Sequence, residues 1–130
     1  VKRFLLDTHI VLWWAQDNPR LSTAQRTAIS DPANEVYVSA VSVWEASIKS
    51  GQGKLVLPTT PLDFFHQVME NAGFLPLSIQ FSHAAGVRDL PAVHSDPFDR
   101  LLIAQARVEG MTIVSDDRFF QHYELPGLLR

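Results

Sequence analysis

Along the chain, short continuous apolar runs alternate with longer segments in which apolar residues recur at helical spacing. "RFLLD", Arg3 to Asp7, is an apolar run closing on a carboxylate, and "THIVLWWAQD" after it carries Ile10, Val11, Trp13 and Trp14 at a spacing that predicts an amphipathic helix. "DNPR" at 17–20 punctuates the chain, Ser22 caps a helix through "TAQRTAIS", and "DPAN" stops it. "EVYVS" reads as a second strand. The segment "AVSVWEASIKSGQGK" sets Val41, Trp44 and Ile48 on one helical face and ends at Gly51 and Gly53. "TTPLDFFHQVMENAG" is a capped helix with Pro61 in its first turn and Gly73 at its end. "FLPLSI" predicts a strand that Pro76 keeps short or at a sheet edge. A brief helix in "FSHAAGVRDL" leads to the helix "DPFDRLLIAQARVEG", closed by Gly110, then to the apolar strand "MTIVSDD". A turn of helix and a terminal strand in "RFFQHYELPGLL" complete the chain.

Strands alternating with helices predict the α/β class, a three-layer α/β/α sandwich with a mainly parallel central sheet. The 130 residues, 46% of them apolar, suit one domain over 1–130, with no repeat, linker or low-complexity segment. The absence of cysteine excludes disulfides and thiolate metal sites, so any metal must be held by oxygen or imidazole. The apolar N-terminus is interrupted by Asp7 and His9 and lacks a small-residue cleavage site, which reads as a soluble chain without a targeting signal. A net charge of -3 provides no broad basic field for nucleic acid. That charge is compatible with a nest of carboxylates filled by divalent cations, because a bound metal inverts the local field.

Acids recur at one kind of place in this architecture. Asp7 follows the first strand, Asp116 and Asp117 follow "MTIV", Asp99 stands in the first turn of the preceding helix, and Glu45 lies about one turn into the helix after "EVYVS". Ligands of open α/β sheets sit outside the carboxyl ends of the strands, so the strand-end acids can converge on one cleft. Each acid also has a purely structural reading. Asp7 can cap the helix that begins at Thr8, Asp96 before Pro97 is a capping pattern that leaves Asp99 at N3, Glu45 can pair with Lys49 four residues on, and Asp116–Asp117 can form a turn. Clustered carboxylates repel and raise one another's pKa unless a cation neutralises them. Hard oxygen donors select Mg²⁺ or Mn²⁺, so such a cluster suits metal-assisted phosphodiester hydrolysis.

"FLLDTHIVLWW", "VSAVSVWEASIKSGQGKL", "DPFDRLLIAQA" and "TIVSDDRFFQHY", in that order, resemble the PIN-domain nucleases, and specifically the VapC-type toxins of prokaryotic toxin–antitoxin pairs. The resemblance spans almost the whole chain. It implies that Asp7 and Asp99 are the main Mg²⁺ ligands, with Mn²⁺ able to substitute, and that Glu45 is a ligand directly or through water. The family's fourth acid follows a threonine by two residues, with phenylalanine and tyrosine at three-residue steps after it. Ser115, Asp117, Phe120 and Tyr123 match that register, which favours Asp117 over Asp116. Serine at 115 departs from the family's threonine but keeps the hydroxyl, and the additional acid at 116 leaves the fourth carboxylate open by one residue. The resemblance further implies an RNA substrate cut to 5′-phosphate and 3′-hydroxyl ends, a cognate antitoxin covering the cleft, a homodimer, and a cytoplasmic location away from membranes.

Other chemistries fit less well. "HSD" at 94–96 does not by its adjacency orient a triad, and there is no G-x-S-x-G elbow. His9, His66, His83, His94 and His122 show no H-E-x-x-H spacing and read as satisfied or exposed side chains. A phosphoacceptor domain needs a lysine after a late strand, and the only lysines are Lys2, Lys49 and Lys54. A PIN-fold module that binds or processes RNA without a toxin role is disfavoured by the presence of all four acids. Lys49, Lys54, Arg88, Arg100 and Arg118 are candidates for steering phosphates. Neighbours Trp13 and Trp14 cannot both face inward on one helix, which offers one of them to a partner.

Overall fold

The computed structural model describes residues 1–93 and 95–130. Its strands are β1 (Arg3–Leu6), β2 (Glu35–Ser39), β3 (Leu75–Leu77), β4 (Thr112–Val114) and β5 (Gly127–Leu129). Its α-helices are α1 (Thr8–Ala15), α2 (Thr23–Ser30), α3 (Ala40–Gly51), α4 (Pro61–Ala72), α5 (Phe81–Gly86) and α6 (Pro97–Glu109), with 3₁₀ turns at Val87–Asp89 and Arg118–His122. All strand pairings are parallel, in the order β3-β2-β1-β4-β5. The sheet is thus fully parallel, and Pro76 sits in an edge strand where its missing N–H costs no ladder bond.

Strand periodicity divides the core between two faces. Phe4, Leu6, Val36, Val38 and Val114 pack with Ile10, Val11, Ile29, Phe65 and Val68 beneath α1, α2 and α4. Leu5 and Ile113 point the other way, against Leu102, Ile103, Ala106 and Phe120. The result is the expected α/β/α sandwich.

Local signals act where the sequence puts them. Ser22 and Gln25 form a reciprocal capping box on α2. Thr60 caps α4 ahead of Pro61, and Gly110 ends α6 in the left-handed conformation (φ 69°) that a side chain would strain. One expectation about an aromatic residue is corrected. On α3 the buried residues are Val41, Ser42, Glu45 and Ala46, while Trp44 and Ile48 lie exposed. The buried stripe therefore carries a carboxylate and small side chains, and the bulkiest apolar residues lie beside it. On α1 both tryptophans are half-buried: Trp13 packs edge-on to His9 and Trp14 against Phe74.

Candidate active site

From β1 the chain moves outward to β2 and β3, then returns to place β4 on the other flank of β1. The gap between β1 and β4 is therefore the topological switch point, where a crevice opens beyond the carboxyl ends of the strands. Leu6 and Val114 are paired at the last register position, so Asp7 and Ser115 leave the sheet side by side. A cleft of about 390 Å³ lies there, lined by Asp7, Glu45, Asp96, Asp99 and Asp117, with His9, Lys49 and Lys54 on its walls.

Each acid reaches the cleft by a local device. Asp7 caps α1, and its carboxylate accepts from the Thr8 amide (2.7 Å) and the Ser115 hydroxyl (2.7 Å), with His9 Nδ1 3.1 Å away. Asp96 caps α6 by accepting from the amides of Phe98 (2.9 Å) and Asp99 (3.2 Å). With Pro97 it sets the start of the helix and so aims Asp99, which is 8% exposed. Glu45, 5% exposed, projects from α3, and its Oε2 accepts from the Lys49 ammonium. Asp117 lines the cleft, whereas Asp116 is exposed and outside the lining.

The capping and pairing roles are therefore real, and they coexist with convergence on one site. Asp7 and Asp96 are caps, Glu45 and Lys49 are paired, and all three acids face the same space.

This arrangement sets several carboxylates close together. Burial, followed by the carboxylates of Asp7, Asp96, Glu45 and Asp117, pushes the Asp99 carboxyl up to about 8. Glu45 Oε1 is buried and without a hydrogen-bond partner, which costs about 1–3 kcal/mol for an uncharged group and more for a carboxylate. The hydrogen bond that Lys49 donates to Glu45 raises the Lys49 pKa, so that ammonium stays charged beside the cluster. At His9 burial acts to lower the pKa, but the Asp7 hydrogen bond and the charges of Asp7, Asp116 and Asp117 outweigh it and the pKa is raised.

Hard oxygen donors, an orphaned buried carboxylate oxygen and mutual repulsion are what a divalent cation would relieve. Among the described residues no three His, Asp or Glu side chains are gathered closely enough to hold an ion by themselves.

Of the five cations considered for phosphates, Lys49 and Lys54 line the cleft and Arg88, Arg100 and Arg118 do not. Arg100 instead donates to the carbonyls of Pro91 (2.8 Å), Val87 and Leu90, bracing the segment before α6. Lys54 is turned toward the cleft by left-handed Gly53 (φ 72°) and by its own amide bonding to Lys49 O (2.9 Å). The sequence reads His9 as a satisfied or exposed side chain and gives Ser115 a register and a hydroxyl, but it does not show that both reach Asp7. Nothing in periodicity or spacing marks a histidine two residues after a strand-end acid as part of a site. His94, and with it the "HSD" reading, lies outside the described residues. No described helix is long and apolar enough to cross a membrane.

Comparison with known proteins agrees with the geometry. Residues 4–125 match the model of the PIN domain. The chain is 33% identical over 123 residues to Ribonuclease VapC22 of Mycobacterium tuberculosis, covering 94% of this chain and 92% of that protein. Among solved structures, VapBC2 from Rickettsia felis, bound to a DNA fragment from its promoter, aligns with a TM-score of 0.71 at 14% identity, covering 98% of this chain and 97% of the other. VapBC-5 from Mycobacterium tuberculosis, a member of the VapBC family of toxin–antitoxin systems, aligns with a TM-score of 0.61 at 14% identity over 100% of this chain and 99% of the other. Those two identities carry the fold alone.

Proposed function

The chain belongs to the PIN-domain family, and from that premise we propose that it is a metal-dependent endoribonuclease, the toxin of a toxin–antitoxin pair. The observation that carries this reading is the convergence of Asp7, Glu45, Asp99 and Asp117 on one cleft at the β1/β4 switch point. Mg²⁺ is the resident cation in this reading, with Mn²⁺ able to replace it. Asp7 and Asp99 are its principal ligands, Glu45 binds directly or through water, and Asp117 is the fourth acid. When bound, the cation would lower the pKa of a water for in-line attack on phosphorus and offset charge on the departing 3′-oxygen.

The chain's own residues do the rest. Asp96 and Pro97 fix the start of α6, and Ser115 holds Asp7 in its orientation by donating to Oδ2. Lys49 and Lys54 stand along one wall, where their ammonium groups receive the backbone phosphates that the acidic floor would otherwise repel. A narrow acidic cleft with cations on one side takes a splayed single strand or loop more readily than a duplex. The products are 5′-phosphate and 3′-hydroxyl ends. A cognate antitoxin covering this cleft, a homodimeric assembly and action in the cytoplasm complete the reading.

The test is to incubate purified, antitoxin-free protein with total RNA and Mg²⁺, with an EDTA control, and to sequence the ends. Discrete 5′-phosphate ends that vanish with EDTA are expected. Intact RNA under both conditions, or cleavage indifferent to EDTA, overturns the assignment.

A further inference from the structure

His9 occupies the second position of α1, and its ring spans the ends of two strands. Nδ1 stands 3.1 Å from Asp7 Oδ2, and Nε2 stands 3.3 Å from the backbone nitrogen of Asp116. An amide N–H can only donate, so Nε2 is the acceptor and the neutral ring carries its proton on Nδ1, where it donates to Asp7. An imidazolium would keep the Asp7 contact but turn Nε2 into a second donor facing that amide. The ring is steadied by the edge of Trp13, with centroids 4.8 Å apart, and Trp13 in turn lies under the Arg20 guanidinium.

Ser115 completes a closed loop of bonds. Its hydroxyl donates to Asp7 Oδ2 (2.7 Å) and accepts from the Asp117 amide (3.0 Å). The turn after β4 is thus tied to Asp7 twice, the Asp117 amide through Ser115 and the Asp116 amide through His9. With successive amides both fixed, the two aspartate side chains diverge: Asp117 lines the cleft and Asp116 is exposed.

We propose that His9 is a positioning residue of the nuclease centre, aiming Asp7 with Nδ1–H and holding the Asp116 amide with Nε2, so that Asp117 is the acid delivered to the cleft. The role rests on the nuclease reading for what the acids hold, while the bridge itself is built from this chain's own groups. His9 bears the same relation to Asp7 that hydrogen-bonding partners bear to metal ligands elsewhere, where their loss typically weakens metal binding about 10- to 100-fold.

The experiment uses the full chain. In metal-free, ¹⁵N-labelled protein at alkaline pH, correlation of the ring nitrogens with the ring protons should show His9 as the Nδ1–H form, the less common form of a neutral imidazole. Calorimetric titration of MgCl₂ should then show binding about tenfold or more weaker for His9→Ala. His9→Asn, whose amide nitrogen sits where Nδ1 was, should recover most of that loss, and His9→Gln, whose amide sits where Nε2 was, should not. Should His9→Ala fail to fold, the Asn and Gln variants and the native ring spectrum carry the test. Native affinity in His9→Ala, equal affinity in the Asn and Gln variants, or an Nε2–H ring in a Mg²⁺-binding native chain overturns the role of His9. A native chain that binds no Mg²⁺ overturns the nuclease reading itself, whatever form the ring takes.

Discussion

Helix α6 serves two buried polar clusters that differ in one respect. At its N-terminus Asp99 joins Asp7, Glu45 and Asp117, and this cluster holds Glu45 Oε1, the only buried side-chain polar atom without a hydrogen bond among the described residues. Further along, Gln105 and Glu109 belong to a cluster that closes on itself. Ser39 donates to Gln105 Oε1 (2.6 Å), and the Gln105 amide reaches Ser78 O and His83 Nδ1 (3.4 Å each). His83 accepts from the Gln80 amide (2.9 Å) and meets Glu109 through Nε2 (2.8 Å), and Glu109 in turn meets Arg3. Ser39, His83 and Gln105 are all 0% exposed, so burial does not separate the two groups. Satisfaction does. A polar cluster that serves the fold matches donors to acceptors internally, whereas one that serves a ligand keeps acceptors and charge in excess.

The sharpest way to break the contrast is to neutralise one of the excess charges. Asp7→Asn keeps a good N-cap and nearly the same shape, so the fold should persist while cleavage falls by at least about a hundredfold, beyond what loss of an outer partner typically costs. Thermal unfolding in EDTA should show only a modest change, because relief of repulsion is set against the loss of one of the two oxygens that accept from Thr8, Ser115 and His9. An Asp7→Asn protein that cleaves RNA at the native rate removes Asp7 from the metal centre.

The same excess should make stability depend on pH. The Asp99 carboxyl is pushed from 3.8 to about 8, so between those values the native state holds a proton that the unfolded chain has released. Stability falls with pH wherever the native state binds more protons. The contribution is therefore complete below about pH 3.8 and lost as pH rises through about 8. In EDTA the native chain should lose stability relative to Asp99→Asn between pH 5 and pH 8, and Mg²⁺ should narrow the gap by taking the place of the proton. Parallel urea-unfolding midpoints for the two proteins across that range contradict this account.

The closed cluster should respond in the opposite way. Gln105→Met roughly preserves volume but strands the Ser39 hydroxyl and one contact of His83, at a cost of about 1–3 kcal/mol. Urea unfolding measures it, and cleavage per folded molecule should stay within about twofold, because Gln105 touches nothing in the cleft.

Much of this was legible in the sequence, and the limits have physical causes. A parallel sheet follows from strands alternating with helices, and caps such as Asp96–Pro97 and Ser22 act within three residues of themselves, so local reading suffices; the order of the strands is a tertiary fact. The face of α3 was misjudged because Trp44 and Ile48 carry more apolar weight than Ser42 and Ala46. Only the tertiary setting shows that α3 turns Ser42, Glu45 and Ala46 inward. His9 was invisible for a related reason: its value depends on an amide 107 positions away. The number of acids could be read from composition and spacing, but what holds each in place is non-local.

The smallest expected effect is also the finest test of that non-local order. Asp116 and Asp117 are adjacent and chemically alike, and the family register favours the second by a single residue. Asp117 also caps the following 3₁₀ turn by accepting from the Phe119 amide (2.9 Å), a bond that Asn can keep. Asp116 contributes its backbone N–H to His9, and a side-chain substitution leaves that group in place. Asp116→Asn should therefore change cleavage by no more than about twofold, as for an ordinary surface position, while Asp117→Asn lowers it by about tenfold or more. In the His9→Gln background, where Oε1 can still accept the Asp116 amide, that ranking should persist. In His9→Ala the amide is released, Asp116 can compete for the cleft, and the penalty for Asp117→Asn should shrink. Initial cleavage rates for these variants decide whether the one-residue register is written by the acids themselves or by the histidine opposite them.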